Sequence, residues 1–226
     1  MEKILKKLNV NTNGNRKLQN TDKIRYMIWN LPAEKTCPFA TEHCKKSCYA
    51  KKAERIYKGV YESRLKNFWD SENADFVENM IYTIETLLNS KAYAGKKAIF
   101  RIHESGDFYN MEYAAKWCTI AKYFKNDKRI TFLAYTKSII YFNNPAYGTE
   151  IPKNMIVRSS LWDDTTPEAV ECTRKMGLPI YTALSAPDME KERANGRIFS
   201  VCTCENCSTC GKCWNKKYND IIVKIH

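Results

Sequence analysis

Ten cysteines in 226 residues fall into two clusters and two isolated positions, and the clusters are the part of this sequence best suited to chemistry. Cys202, Cys204, Cys207, Cys210 and Cys213 stand within twelve residues of one another. Thiolates two or three residues apart converge on one centre, because a tight turn brings their sulfurs together while free backbone N–H groups offset their charge. Cys204, Cys207, Cys210 and Cys213 follow in unbroken C-x-x-C steps. That favours an iron-sulfur cluster, whereas two separated C-x-x-C knuckles would favour zinc, the alternative here. The first cluster is Cys37, Cys44 and Cys48, spaced C-x6-C-x3-C. Three thiolates cannot fill a four-coordinate site, so the last ligand is a downstream cysteine, His43 or a bound small molecule. A cluster held by three cysteines leaves one iron open, where chemistry can happen. The plain alternative is a structural centre that ties the N-terminal loop to the tail. Cys118 and Cys172 read as small core residues, Cys172 sharing a helical face with Ala169 and Met176.

A second group of residues stands where apolar runs end. His103, Glu104, Gly106 and Asp107 follow one run, Lys137 a second, Arg158 and Ser160 a third. In parallel α/β sheets the site lies at the carboxyl ends of the strands. His103, Glu104, Asp107 and Lys137 are therefore candidates for proton transfer and catalysis. Gly106 would allow close backbone approach, and with Arg158 and Ser160 would bind a cofactor or a carboxylate or phosphate group. Against this, loops after strands are polar in any case, and Asp107 could simply cap the next helix.

The elements that must position these residues follow from periodicity. Strands are expected at 98–102, 130–135, 155–158 and 178–183, with a further apolar run from Ile24 to Leu31. Helices are expected from Ala50 to Trp69, weakened at Gly59; from Phe76 to Leu88, capped by Ser71 or Asn73; and from about Met111 to Phe124. Another begins at Thr165 or Thr166 with Pro167 in its first turn and ends at Gly177. Strands alternating with helices make this an α/β chain with a partial (β/α) barrel-like parallel sheet, or an open doubly wound one, bearing a Cys-rich metal-binding N-terminal loop and C-terminal tail. A complete barrel typically needs ~250 residues. One domain is expected over 1–226: an N-terminal arm (1–23), the first Cys loop (24–50), an α/β body (51–200) and the Cys-rich tail (201–226).

With 44% hydrophobic and 12% aromatic residues the chain can build a core without cross-links. No apolar run has the length of a signal peptide or of the ~20-residue membrane span, so a cytoplasmic, reducing setting and no membrane partner are expected. The formal charge of +12 suggests an acidic partner such as nucleic acid. Two 4Fe-4S centres would lower it to about +8, since each core of about +2 carries four thiolates. The lysine pairs Lys6-Lys7, Lys45-Lys46, Lys51-Lys52, Lys96-Lys97 and Lys216-Lys217 read as a solvated face rather than a binding stripe.

Several of these residues together resemble a known family. Asn30-Leu31-Pro32-Ala33 followed by Cys37-Pro38, Cys44 and Cys48-Tyr49-Ala50, then Ser105-Gly106-Asp107, Tyr135-Thr136-Lys137 and the tail Cys207, Cys210-Gly211, Cys213-Trp214, looks like the phage gene product 88 family. The resemblance covers about residues 26 to 214 and implies a phage or prophage origin. The family's tail pattern accounts for Cys207, Cys210 and Cys213 with one upstream cysteine, leaving Cys202 or Cys204 spare to complete the first set. The architecture also resembles, more distantly, radical SAM enzymes, which join a (β/α) barrel to a three-cysteine open cluster and often an auxiliary cluster in the tail. That resemblance implies S-adenosylmethionine, although the usual C-x3-C-x2-C spacing differs from the spacing here. Two readings follow: an iron-sulfur metalloenzyme acting on a small molecule through one or two 4Fe-4S clusters, or a nucleic-acid- or partner-binding protein with structural zinc or iron-sulfur sites.

Overall fold

The computed structural model describes residues 4–203, 205–215, 217 and 220–224. Its strands are β1 (Ile24–Trp29), β2 (Lys97–Ile102), β3 (Ile130–Thr136), β4 (Met155–Ser160), β5 (Ile180–Leu184), β6 (Ser200–Cys202) and β7 (Ile221–Lys224). They form one seven-stranded sheet in the order β1-β2-β3-β4-β5-β7-β6. Every neighbouring pair is parallel. The sheet curls into a half-barrel with helices, as the strand–helix alternation led one to expect.

Parallel strands buried on both faces need apolar residues at successive positions, which is why these segments read as continuous runs. Ala98, Phe100 and Ile102 of β2, Phe132 and Ala134 of β3, and Met155 and Val157 of β4 face the helices. The helices concerned are α4 (Phe76–Leu88), α5 (Met111–Tyr123) and α6 (Pro167–Lys175). Phe76, Trp117, Phe100 and Phe132 pack ring to ring there, with centroids 5.2 to 5.8 Å apart along the chain of contacts. Each fully buried side chain of this size contributes ~1.5–3 kcal/mol. The alternate positions, Tyr26 and Ile28, Ile99, Leu133 and Ile156, form a second apolar cluster on the inner face.

Several local expectations change. The Ala50–Trp69 helix is two helices, α2 (Tyr49–Ile56) and α3 (Val60–Glu72), parted at Gly59, whose φ of 86° is left-handed. Helix α4 starts at Asp75, since Ser71 lies inside α3 with its hydroxyl bonded to Phe68 O at 2.6 Å, and Asn73 ends that helix. Helix α5 is capped by Asn110, which accepts from Tyr113 N, and not by Asp107. Thr166 caps α6. The cysteine-bearing segments also build sheet: β1 forms one edge, and β6 and β7 close the other, a pair of strands that the sequence reading passed over.

The N-terminal arm is ordered by pairing. Asn11 exchanges backbone bonds of 2.9 Å with Ile28, Leu8 enters the helix-side core, and Leu18 joins the inner cluster.

Candidate functional site

The loop after β1 is bound to the loop after β2 through groups whose types the sequence dictates. Asn30 Oδ1 accepts from the backbone N–H groups of Glu104 (2.8 Å) and Ser105 (3.1 Å). Leu31 N donates to Ser105 O (3.0 Å), Ser105 Oγ returns a bond to Leu31 O (2.8 Å), and Asp107 N donates to Thr36 O (3.1 Å). Gly106, at φ 81°, lets the loops touch: a Cβ there would lie 2.6 Å from Leu31 Cβ and 2.6 Å from Thr36 Oγ1. The close approach expected of Gly106 is thus made by the chain's own 31–36 segment. Cys37 follows at once. Cys44 lies in α1 (Glu42–Lys46), whose cap Thr41 accepts from Cys44 N, and Cys48 is the residue before α2.

These three thiols form an electrostatic group with Asp107 and Lys137. Burial, and next the Asp107 carboxylate, pushes the Cys37 thiol up to about 12, with smaller contributions from Cys44 and Cys48. Burial also raises Cys44, against the pull of the Lys137 ammonium. Asp107 is buried and accepts from Thr136 Oγ1 (2.5 Å), Phe108 N (2.8 Å) and Lys137 N (2.9 Å), which fastens the loop after β2 to the end of β3. Burial nonetheless lifts its carboxyl above the ordinary range. Lys137 Nζ donates to Ser160 O at 2.9 Å and stands 5.3 Å from the Trp162 ring. Its ammonium is held below the usual lysine range by burial.

The remaining candidates divide between the two faces. His103 has φ 62°, which breaks the strand's alternation. Its ring lies on the helix side, 4.8 Å from the Phe108 ring, with Nε2 2.9 Å from Tyr113 Oη. Burial lowers its pKa to about 3. Glu104 turns to the inner side, where it meets Asn15 and, through its carbonyl, the Tyr49 hydroxyl. Arg158, fully buried, donates from Nε to Cys213 O (2.8 Å) and from Nη2 to Lys212 O (3.3 Å), so it anchors the tail. Ser160 contributes its carbonyl to Lys137.

The tail runs along the inner face. Cys207 and Cys213 pack with Trp214 against the Tyr26–Ile156 cluster. The arm secures it: Cys207 N donates to Lys17 O (2.8 Å), and Tyr26 Oη lies 2.9 Å from Ser208 Oγ. Burial, then Cys213 and Cys202, pushes Cys207 up to about 11, with Cys210 adding to it. Burial raises Cys213 as well, opposed by Tyr135, Arg158 and Arg101 and supported by Cys202. Cys204 lies outside the described residues. The nine described cysteines, Cys118 and Cys172 among them, are free thiols.

Among the described residues, the one set of three potential ligand atoms within 4.8 Å of each other is His43, Asp163 and Asp164, all exposed. His43 Nδ1 lies 2.6 Å from Asp163 Oδ1, so this imidazole is engaged with the loop after β4. Arg101, Tyr135 and Tyr181, of which the sequence reading singled out only Tyr135 and only within the family run, lie beside the tail thiols. Arg101 Cζ sits 3.7 Å above the Tyr135 ring, and the Tyr135 and Tyr181 rings meet at 4.6 Å. The available signal was an arginine in mid-strand, opposite in phase to the apolar Phe100 and Ile102.

Fold and site together define a parallel α/β half-barrel that carries one thiol set in the loop after its first strand and another in a tail laid along its inner face. The chain belongs to the gene product 88 family, whose model matches residues 3–216. It is 29% identical to the Gene 88 protein of Mycobacterium phage D29 over 196 residues, 80% of this chain and 78% of the relative. It is likewise 29% identical to the Gene 88 protein of Mycobacterium phage L5 over 200 residues, 81% and 80% of the two chains. No solved structure matches. Among the described residues no helix is long and apolar enough to cross a membrane.

Proposed function

We propose that this chain is an iron-sulfur protein with two centres, one held by Cys37, Cys44 and Cys48 and the other by Cys202, Cys207, Cys210 and Cys213, with Cys204 the alternative tail ligand. The observation that carries this reading is the grouping of the thiols: Cys37, Cys44 and Cys48 lie on the one segment that follows β1, and Cys202, Cys207, Cys210 and Cys213 lie on the tail, where Cys207 and Cys213 pack on the same apolar cluster. Zinc is the alternative metal. Among the described residues no three thiols stand within 4.8 Å of one another, so either kind of centre would have to draw its ligands together on binding. The unbroken C-x-x-C steps of the tail favour the cluster.

The first set has three thiols, so a cluster there keeps an iron position for a ligand from outside, and such a position supplies Lewis-acid or electron-transfer chemistry. Lys137 and Asp107 would set the charge beside it, and Glu104 faces the interior. His103, enclosed on the helix side, serves the core. The resemblance to radical SAM enzymes makes S-adenosylmethionine the small molecule to try first, and the half-barrel supports that choice.

The test is iron, zinc and acid-labile sulfide analysis of anaerobically purified protein, with electronic and paramagnetic spectra before and after adding S-adenosylmethionine. The expected result is about eight irons per chain. Cys37→Ser and Cys213→Ser should each remove about half, and S-adenosylmethionine should alter the spectrum only where Cys37 is intact. Colourless protein lacking iron and sulfide after anaerobic cluster reconstitution would overturn the reading.

A further inference from the structure

Helices α2 and α3 carry exposed rings that the metal reading leaves unused. Tyr57 and Trp69 are 62% and 56% exposed, and Ile56 and Tyr61 are exposed as well. Apolar rings left this open on one side of a molecule with an ample core mark an interaction surface. Tyr61 and Trp69 lie eight residues apart in α3, hence on nearly the same side and ~12 Å apart along the axis. Lys52, Arg55 and Lys58 are exposed among these rings and make no ion pair among the described residues. The nearby acids are largely committed: Glu54 pairs with Arg64 at 2.8 Å, and Glu34 with Lys51 at 2.7 Å. The inward side of α2, Ala50, Ala53 and Glu54, is used against the body.

We propose that this α2–α3 face binds single-stranded nucleic acid, with Tyr57, Tyr61 and Trp69 stacking on bases and Lys52, Arg55 and Lys58 meeting phosphates. Rings interleaved with cations are how proteins hold single strands without reading sequence. Protein–protein interfaces share the rings but are depleted in lysine. A helix lying in a membrane surface presents its apolar face outward, whereas α2 turns its apolar side to the body through Ala50 and Ala53. Stacking on bases and contacts to phosphates do not read the sugar, so DNA and RNA strands should bind alike. This surface is independent of the metal reading.

The test is fluorescence anisotropy of labelled 20-nucleotide DNA, RNA of the same sequence, and the DNA duplex, with anaerobically purified full-length protein. Three phosphate contacts on a single strand give a slope of about −2.1 in log K against log salt, an affinity loss of about eighteen-fold between 50 and 200 mM. The Lys52→Ala/Arg55→Ala variant should cut the slope to about a third, leaving a loss of about three-fold. Tyr57→Ala should weaken binding about tenfold with the slope unchanged, since it removes stacking and no charge. Thermal melting of both variants should match the parent, as the replaced side chains are exposed. Absent binding at 50 mM salt, duplex bound as tightly as single strand, a preference above about tenfold between DNA and RNA, or equal binding to phosphatidylserine vesicles would each overturn the proposal.

Discussion

Replacing Gly106 by alanine tests whether the loop bearing Cys37 is held by close contact, and Gly59→Ala is its internal control. Both glycines have left-handed backbones, φ 81° and 86°, so both substitutions incur ~1–2 kcal/mol of conformational strain. They differ in surroundings. A Cβ at Gly59 meets nothing within 4 Å, whereas one at Gly106 falls 2.6 Å from both Leu31 Cβ and Thr36 Oγ1 and 3.1 Å from Leu31 O. Relieving those overlaps moves the 31–36 segment, which costs ~1–3 kcal/mol of overpacking. Displacing the Thr36 hydroxyl also breaks its bond to Pro32 O, worth ~1 kcal/mol. Gly106→Ala should therefore destabilise by about 3–6 kcal/mol and Gly59→Ala by about 1–2 kcal/mol. Urea denaturation reads the difference directly, and thermal melting should register about 2–4 °C per kcal/mol for a chain of this length. The Cys37 thiol should also react faster with a thiol reagent in Gly106→Ala alone. Equal destabilisation by the two substitutions would refute the argument, because backbone strain would then account for everything.

Two further outcomes follow from buried polar groups. His103 has its pKa lowered to about 3 from 6.5, so between those values the unfolded chain binds a proton that the folded chain refuses, and stability rises with pH across the window. Taking the protein from pH 6.5 to 4.5 should cost about 2–3 kcal/mol through this group, and that part should vanish in His103→Asn, a residue that tolerates the left-handed backbone; parallel pH profiles for parent and variant would refute it. Arg158→Leu leaves the carbonyls of Cys213 and Lys212 without their donor and should destabilise by about 3 kcal/mol. Arg158→Lys should not restore it, since one ammonium cannot span both carbonyls as the guanidinium does; denaturation curves of the two variants check this.

Strands β2, β3 and β4 were legible because a parallel strand covered on both faces leaves an unbroken apolar run, and α4 because its stripe repeats cleanly. Strands β6 and β7 were not. They are short, and one lies within the Cys-rich segment, where thiol spacing masks any strand signal. Asp107 shows a different limit. An aspartate just before a helix is compatible with capping, yet its carboxylate is taken by Thr136 and Lys137, thirty residues away, and Asn110 performs the cap. His103 was misjudged for a backbone reason: the left-handed residue carries the ring to the helix side, which strand alternation cannot foretell. The lysine pairs of α1 and α2 are exposed, as a solvated face should be, whereas the exposure of Tyr57 and Trp69 was not legible in the sequence.

The arrangement at the carboxyl end of the sheet also distinguishes two uses of a cysteine. A nucleophilic thiol needs an adjacent base or cation that holds it as thiolate, commonly an imidazole within hydrogen-bond reach. Among the described residues neither candidate imidazole serves the first set: His43 is bonded to Asp163, and His103 is enclosed by Phe108 and Tyr113. The charged neighbours that remain are Lys137, whose ammonium is bonded to Ser160 O, and Asp107, an anion that opposes a thiolate. Ser105, Gly106 and the Asp107 carboxylate are spent on fastening loops, so the polar residues after β2 hold the thiols in place more than they face a substrate. Thiols half-buried beside a carboxylate, with no imidazole to ionise them, would gain from positive charge beyond that of Lys137. A bound metal centre supplies it and makes the same neighbourhood favourable.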